Sequence, residues 1–171
     1  FDLYKEHGAT EFLGYEQTKI EAEVLELIVS GTKELEIHGS GTKVTILTNQ
    51  TCFYGESGGQ MGDIGFITTP NAIVKIIDTK KHLGKLIAHV GIIENGSISK
   101  GQCAKLEIDS DYRQNLRIHH TATHMTHKAL QEVLGAHVTQ KGSLVAHDKL
   151  RFDFDHHDSL TQEQLNELEL V

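Results

Sequence analysis

Proline is almost missing from this chain: Pro70 is the single example in 171 residues, which excludes a proline-rich linker or ligand segment. No apolar run approaches the ~20 residues that a membrane-spanning helix needs, so no membrane partner is expected. There are only two cysteines, Cys52 and Cys103, too few for a disulfide framework. Both lie in segments that read as strands; one disulfide is feasible, and two buried thiols in a cytoplasmic protein are expected instead. The opening residues "FDLYKEHGATEF" mix charged and apolar positions, unlike a signal peptide, and lack an initiator methionine. The expectation is an internal piece of a longer protein. No internal repeat and no low-complexity segment is present.

Basic residues are also lacking in one region. From Phe152 onward there are six acids (Asp153, Asp155, Asp158, Glu163, Glu167 and Glu169) and no lysine or arginine. The net charge of −8 argues against a nucleic-acid partner when spread over the whole chain. Its distribution qualifies that conclusion, because residues 111–151 hold six lysines and arginines against three acids. Six histidines fall in the same stretch, so a locally basic face is available to phosphate. What is present otherwise is ordinary for a globular protein: 38% hydrophobic and 23% charged residues.

Between about Ile20 and Asp109 the pattern is that of strands. "IEAEVLELIVSG", "TKVTILTN", "GDIGFITT", "NAIVKIID", "KLIAHVGII" and "GQCAKLEID" are rich in β-branched residues. Turn formers separate them, including Gly39 with Gly41, Pro70-Asn71, Asn95-Gly96 and Lys100-Gly101. Six strands at this spacing predict a small barrel. Near Asp109 the period changes. Ile118, Ala122, Met125, Ala129 and Val133 recur at steps of three and four, predicting the apolar face of a helix. Asp109 or Ser110 is placed to cap its start, and Gly135 to stop it. "HVTQKGSLV" and "KLRFDFD" then read as a hairpin, and "LTQEQLNELELV" as a helix capped by Thr161. The fold class expected is α+β, with a β-barrel over 1–110 and a second α/β domain over 111–171.

The helix carries "IHHTATHMTHKAL" at 118–130, with four histidines. His120 and His124 are four apart, so a helix sets both imidazoles on one face, where zinc accepts such nitrogens at about 2.0–2.1 Å. A polar surface pair is the competing reading. The protease motif H-E-x-x-H has this spacing but needs a glutamate where Thr121 stands, which excludes it. His127 lies in phase as a third imidazole.

"HTATH", followed by "QKGSLV" and "LRFDF", resembles the editing domain of alanyl-tRNA synthetases. "FLGY" at 12–15 and "FYGESGGQMGDIG" at 53–65 are similar to the segments that precede it in that family, and "GSISKGQCAKLEID" looks like the barrel of translation elongation factors. The resemblance implies that His120 and His124 are the first two ligands of a Zn2+ site. It also implies that Thr123 lines the amino-acid pocket and that Gln140 belongs to the active site. The remaining ligands, a cysteine and a histidine, would lie downstream of Val171, and the ATP-dependent aminoacylation domain upstream of the barrel. The implied reaction is hydrolysis of the ester joining serine or glycine to tRNA(Ala), in a cytoplasmic ligase that uses ATP and has no DNA or membrane partner. Serine exceeds alanine by one hydroxyl, which an apolar pocket rejects by only ~10²-fold, so a second hydrolytic site is the usual remedy.

Departures from the family are Gly55 for alanine, His119 for asparagine, and Met125-Thr126 for a leucine pair. His119 is thereby a rival ligand or proton carrier. The Gly-Gly-Gln at 58–60 is the tripeptide with which release factors hydrolyse another tRNA ester; here it reads first as a tight turn, or as one wall beside the tRNA end. His156-His157 offers adventitious metal binding. Two other functions fit the same residues: a free-standing trans-editing hydrolase, and a non-catalytic barrel that binds RNA or protein.

Overall fold

A computed structural model describes residues 2–170. In chain order its elements are α1 (Asp2–His7), β1 (Glu11–Phe12), β2 (Lys19–Val29), β3 (Thr32–Glu34), β4 (Glu36–His38), β5 (Lys43–Thr48), β6 (Gln50–Thr51) and β7 (Gly65–Thr69). They continue with β8 (Ala72–His82), β9 (Leu86–Ser99), β10 (Cys103–Ile108), α2 (Ser110–Leu134), β11 (Gln140–Val145), β12 (Leu150–Phe154) and α3 (Gln162–Leu168). Two compact units result. The first comprises residues 1–57 and 62–112, the second residues 58–61 and 113–171.

The first unit is a closed six-stranded barrel. Strands run β10-β7-β8-β9-β5-β2, and β10 pairs back onto β2 with Leu106 opposite Ile20. These six strands fall on the six segments read from the sequence. Alternation explains the closure: in β10 the exposed Cys103, Lys105 and Glu107 alternate with the buried Ala104, Leu106 and Ile108. One residue of each pair therefore turns inward. The interior is filled by Val24, Leu27, Ile46, Phe53, Ile67, Val74, Ile93, Ile98 and Leu106, all fully buried. Closure leaves no open edge among the six, and β3 and β4 pair outside the ring with β2 and β9.

Two expectations fail here. Asn95-Gly96 does not end a strand: β9 runs through it, and the extra residue is absorbed by a bulge in β9 at Glu94, since the consecutive Ile73 and Val74 of β8 pair with Asn95 and Ile93. The cysteines are not two buried thiols either. No disulfide joins them; Cys52 is buried just after β6 with Sγ 3.7 Å from the Leu106 carbonyl, and Cys103 is exposed on β10.

Helix α2 begins within the first unit and runs into the second, and it starts and stops where its signals lie. Asp109 Oδ1 accepts the Tyr112 N–H at 2.9 Å, and Gly135 at φ 113° donates its N–H to the Gln131 carbonyl. β11 and β12 form the expected hairpin, with Ser143 opposite Phe152. Thr161 caps α3 in a reciprocal box with Gln164.

Candidate metal and editing site

The face of α2 that meets the hairpin is not the apolar one predicted. Ile118 and Met125 are 53% and 63% exposed. With Gln114, Arg117, Thr121 and Ala122 they line an open groove. Leu116, Thr123 and Leu130 are buried instead, together with Ala129 from the predicted face. The reason is hydrogen bonding. His119 Nδ1 lies 2.7 Å from the Ala146 carbonyl, and Gln131 Nε2 donates to the Val138 carbonyl at 3.1 Å. The His127 ring packs 5.2 Å from that of Phe152. Side chains that look solvent-facing by polarity thus satisfy backbone carbonyls at the ends of the hairpin segments, a buried accounting that hydropathy does not register. His119 and His127 are occupied in this packing.

His120 and His124 sit on the flank of that face and are exposed. Their Nε2 atoms lie 3.1 Å apart, with ring centroids at 4.9 Å. Four ligands at about 2.0–2.1 Å around a tetrahedral ion stand roughly 3.3 Å from one another. The imidazole pair therefore spans one edge of such a tetrahedron, and two neutral imidazoles are donors that zinc accepts. The residues present fit half of a zinc site. Among the described residues, the group of three or more donors close enough for one ion lies elsewhere, at Glu6, His7 and Glu26. There Glu26, almost wholly buried, is matched by Lys100 Nζ at 3.1 Å and Lys33 Nζ at 3.3 Å. Burial pushes its carboxyl up, but Lys100, Lys33 and His7 together outweigh burial and hold it below the usual range. It is an ion network whose cations already occupy the carboxylates; nothing in the local sequence announces it.

Thr123 is buried between the two histidines in sequence, and its hydroxyl donates to the His119 carbonyl at 2.8 Å. Its oxygen keeps lone pairs for an incoming hydroxyl. Gln140 is exposed at the start of β11, where Nε2 donates to Ser143 Oγ at 3.0 Å. The helix geometry brings His120 and His124 together; no hydrogen bond joins Gln140 to them among the described residues.

Sequence reasoning missed how residues 58–61 are used. This piece of the glycine-rich loop belongs to the second unit, where Val145 N–H bonds to the Gly59 carbonyl at 2.8 Å and Met61 N–H to the Val145 carbonyl at 3.0 Å. Gln60 bridges Val145 in parallel, adding one isolated β-bridge to the hairpin. Gly59, at φ 85°, is required: a Cβ there would lie 2.5 Å from the Ser143 carbonyl oxygen. A second pair of imidazoles, His137 Nε2 and His156 Nδ1, lies 3.0 Å apart, with His157 stacked nearby.

Residues 2–112 match the family model of class II tRNA synthetases (A). Over 169 residues, 99% of the chain, the sequence is 50% identical to the alanine–tRNA ligase of Rickettsia akari and 49% identical to that of Rickettsia felis. It is 48% identical to that of Rickettsia rickettsii over the same span. The chain spans 19% of the length of each of these relatives.

Proposed function

Since the chain belongs to the class II tRNA synthetase (A) family, we propose that it serves an alanine–tRNA ligase as its barrel and the first part of its editing site. That site hydrolyses the ester of serine or glycine mischarged onto tRNA(Ala) in the cytoplasm, within an enzyme that charges alanine using ATP. The observation that carries the reading is the convergence of His120 and His124 Nε2 at 3.1 Å on an exposed helix flank. Zinc held there, with further ligands from elsewhere in the ligase, supplies Lewis-acid chemistry for ester hydrolysis.

The chain's own residues supply orientation and selection. The i,i+4 spacing sets both imidazoles before any ion arrives, so little side-chain entropy remains to be lost. Thr123, buried one residue from His124, offers its hydroxyl oxygen to the serine side-chain hydroxyl that alanine lacks. A site built to bond a hydroxyl discriminates against the analogue without one far better than an apolar pocket discriminates the reverse. Gln140, on the strand paired with the glycine-rich segment, is assigned to the same hydrolytic site in this reading. The backbone of Gly58–Met61 would form one wall of it, a role supported by its pairing with β11.

The deciding experiment compares deacylation of Ser-tRNA(Ala) by the full-length ligase and by its His120→Ala/His124→Ala variant. The reading expects hydrolysis to fall by at least 10²-fold while aminoacylation with alanine continues. Equal hydrolysis by the two proteins refutes it.

A further inference from the structure

The first unit builds an aromatic row on the "FLGY" segment. The Phe12 ring meets Tyr15 edge-on at 5.0 Å and Tyr54 at 6.1 Å. Gly14 permits the packing, because a Cβ there would lie 2.2 Å from the Cys52 carbonyl oxygen and 2.5 Å from the Phe12 ring. The row ends in Tyr15, which is 86% exposed. An aromatic ring that is held by a neighbour and still faces water has a free π-face to offer.

Phe12, Tyr15 and Tyr54 line a cleft of about 230 Å³ with Gly55, Lys81 and Lys85. The two lysines flank the β8–β9 turn, where "KKHLGK" at 80–85 holds three lysines and no acid. Lys80 is taken up by Glu56 and Asp78. Among the described residues no carboxylate pairs with Lys81 or Lys85. Two cations without a carboxylate, Lys85 also lying 6.0 Å from the Tyr4 ring centroid, stand beside the exposed Tyr15 and form a local exception to the acidity of a chain of net charge −8.

We propose that this cleft holds an unpaired nucleotide of RNA, with the base stacked on Tyr15 and the phosphate at Lys81 and Lys85. Stacking on aromatic rings together with a cationic path for the backbone is how single strands are bound without sequence readout. An apolar peptide would leave both lysines unused, whereas a nucleotide uses the rings and the charges together. The identity of the natural RNA as a tRNA rests on the ligase reading above; the cleft's chemistry does not.

The test measures binding of uncharged tRNA(Ala) and of a short single-stranded oligoribonucleotide to the full-length ligase by fluorescence anisotropy over a range of salt. Tyr15→Ala should weaken binding about 5- to 160-fold, the range for loss of one stacked base, and Tyr15→Phe should retain it. Lys81→Glu/Lys85→Glu should lower the steepness of log K against log salt by about 1.4, corresponding to two phosphates on a single strand. These lysines are on an exposed turn, so their variant remains informative if Tyr15→Ala disturbs folding. Unchanged affinity and unchanged salt dependence in the lysine variant overturn the proposal. So does loss of binding to an acidic peptide with RNA binding intact, which would assign the cleft to a protein. The ester-hydrolysis reading stands or falls separately, on His120→Ala/His124→Ala, whose binding of uncharged RNA should be normal.

Discussion

Lowering the pH from 7 to 5 should unfold the barrel more readily through one residue, His89. Its imidazole is fully buried and satisfied in the neutral form alone. Nδ1–H donates to the Ile46 carbonyl at 3.0 Å, Nε2 accepts the Thr51 hydroxyl at 2.8 Å, and that hydroxyl oxygen in turn accepts the Phe53 N–H. The Phe53 ring closes over it edge-on at 5.2 Å. Burial lowers the pKa to about 4 from 6.5, against a smaller opposing effect of the Ile46 carbonyl. Below pH 6.5 the unfolded chain takes up a proton that the folded chain refuses, so stability falls as pH falls. The loss runs at about 1.4 kcal/mol per pH unit until the folded pKa is reached. Between 6.5 and 5 it amounts to roughly 2 kcal/mol, a large fraction of a domain stability of about 5–15 kcal/mol. Urea unfolding of the wild type and of His89→Gln at pH 7 and pH 5 isolates the effect from the other histidines. The variant should be less stable at pH 7, and the gap should narrow by about 2 kcal/mol at pH 5. Parallel pH profiles would refute the burial argument.

Thr123→Val should impair clearance of Ser-tRNA(Ala) by the full-length ligase while leaving its zinc content unchanged; equal hydrolysis rates would end the assignment of that hydroxyl to serine selection. The 171-residue chain should hold zinc only weakly, since two imidazoles are half a ligand set; one ion per chain surviving dialysis, and persisting in His137→Ala/His156→Ala, would contradict this. Gly59→Ala should destabilise the second unit by more than about 1 kcal/mol, because φ 85° and the Ser143 carbonyl both oppose a Cβ; hydrogen exchange at Val145 reads the loss, and protection as in wild type would oppose it. Lys100→Ala should cost about 1–3 kcal/mol by leaving Glu26 buried with less compensation, and chemical denaturation within 0.5 kcal/mol of wild type would count against the network.

Much of this protein is local and was legible as such. Six alternating segments make six barrel strands because alternation is a property of one strand and its two faces. Asp109, Gly135 and Thr161 mark helix ends because a cap needs only its own neighbours. The His120–His124 convergence belongs to the same class: a helix sets side chains four apart on one side whatever surrounds it. The resemblance to alanyl-tRNA synthetases rested on such stretches, and the family match agrees with it. The tertiary structure decided what depends on partners distant in sequence. It turned Ile118 and Met125 outward, since hairpin carbonyls find bonds with His119 and Gln131 and not with an apolar stripe. It drew Gly58–Met61 out of a barrel sequence to pair with β11, put His89 where burial keeps it neutral, and set Glu26 among cations that keep it charged. No period or motif encodes those outcomes, because each depends on which distant backbone and charges the fold brings beside the residue.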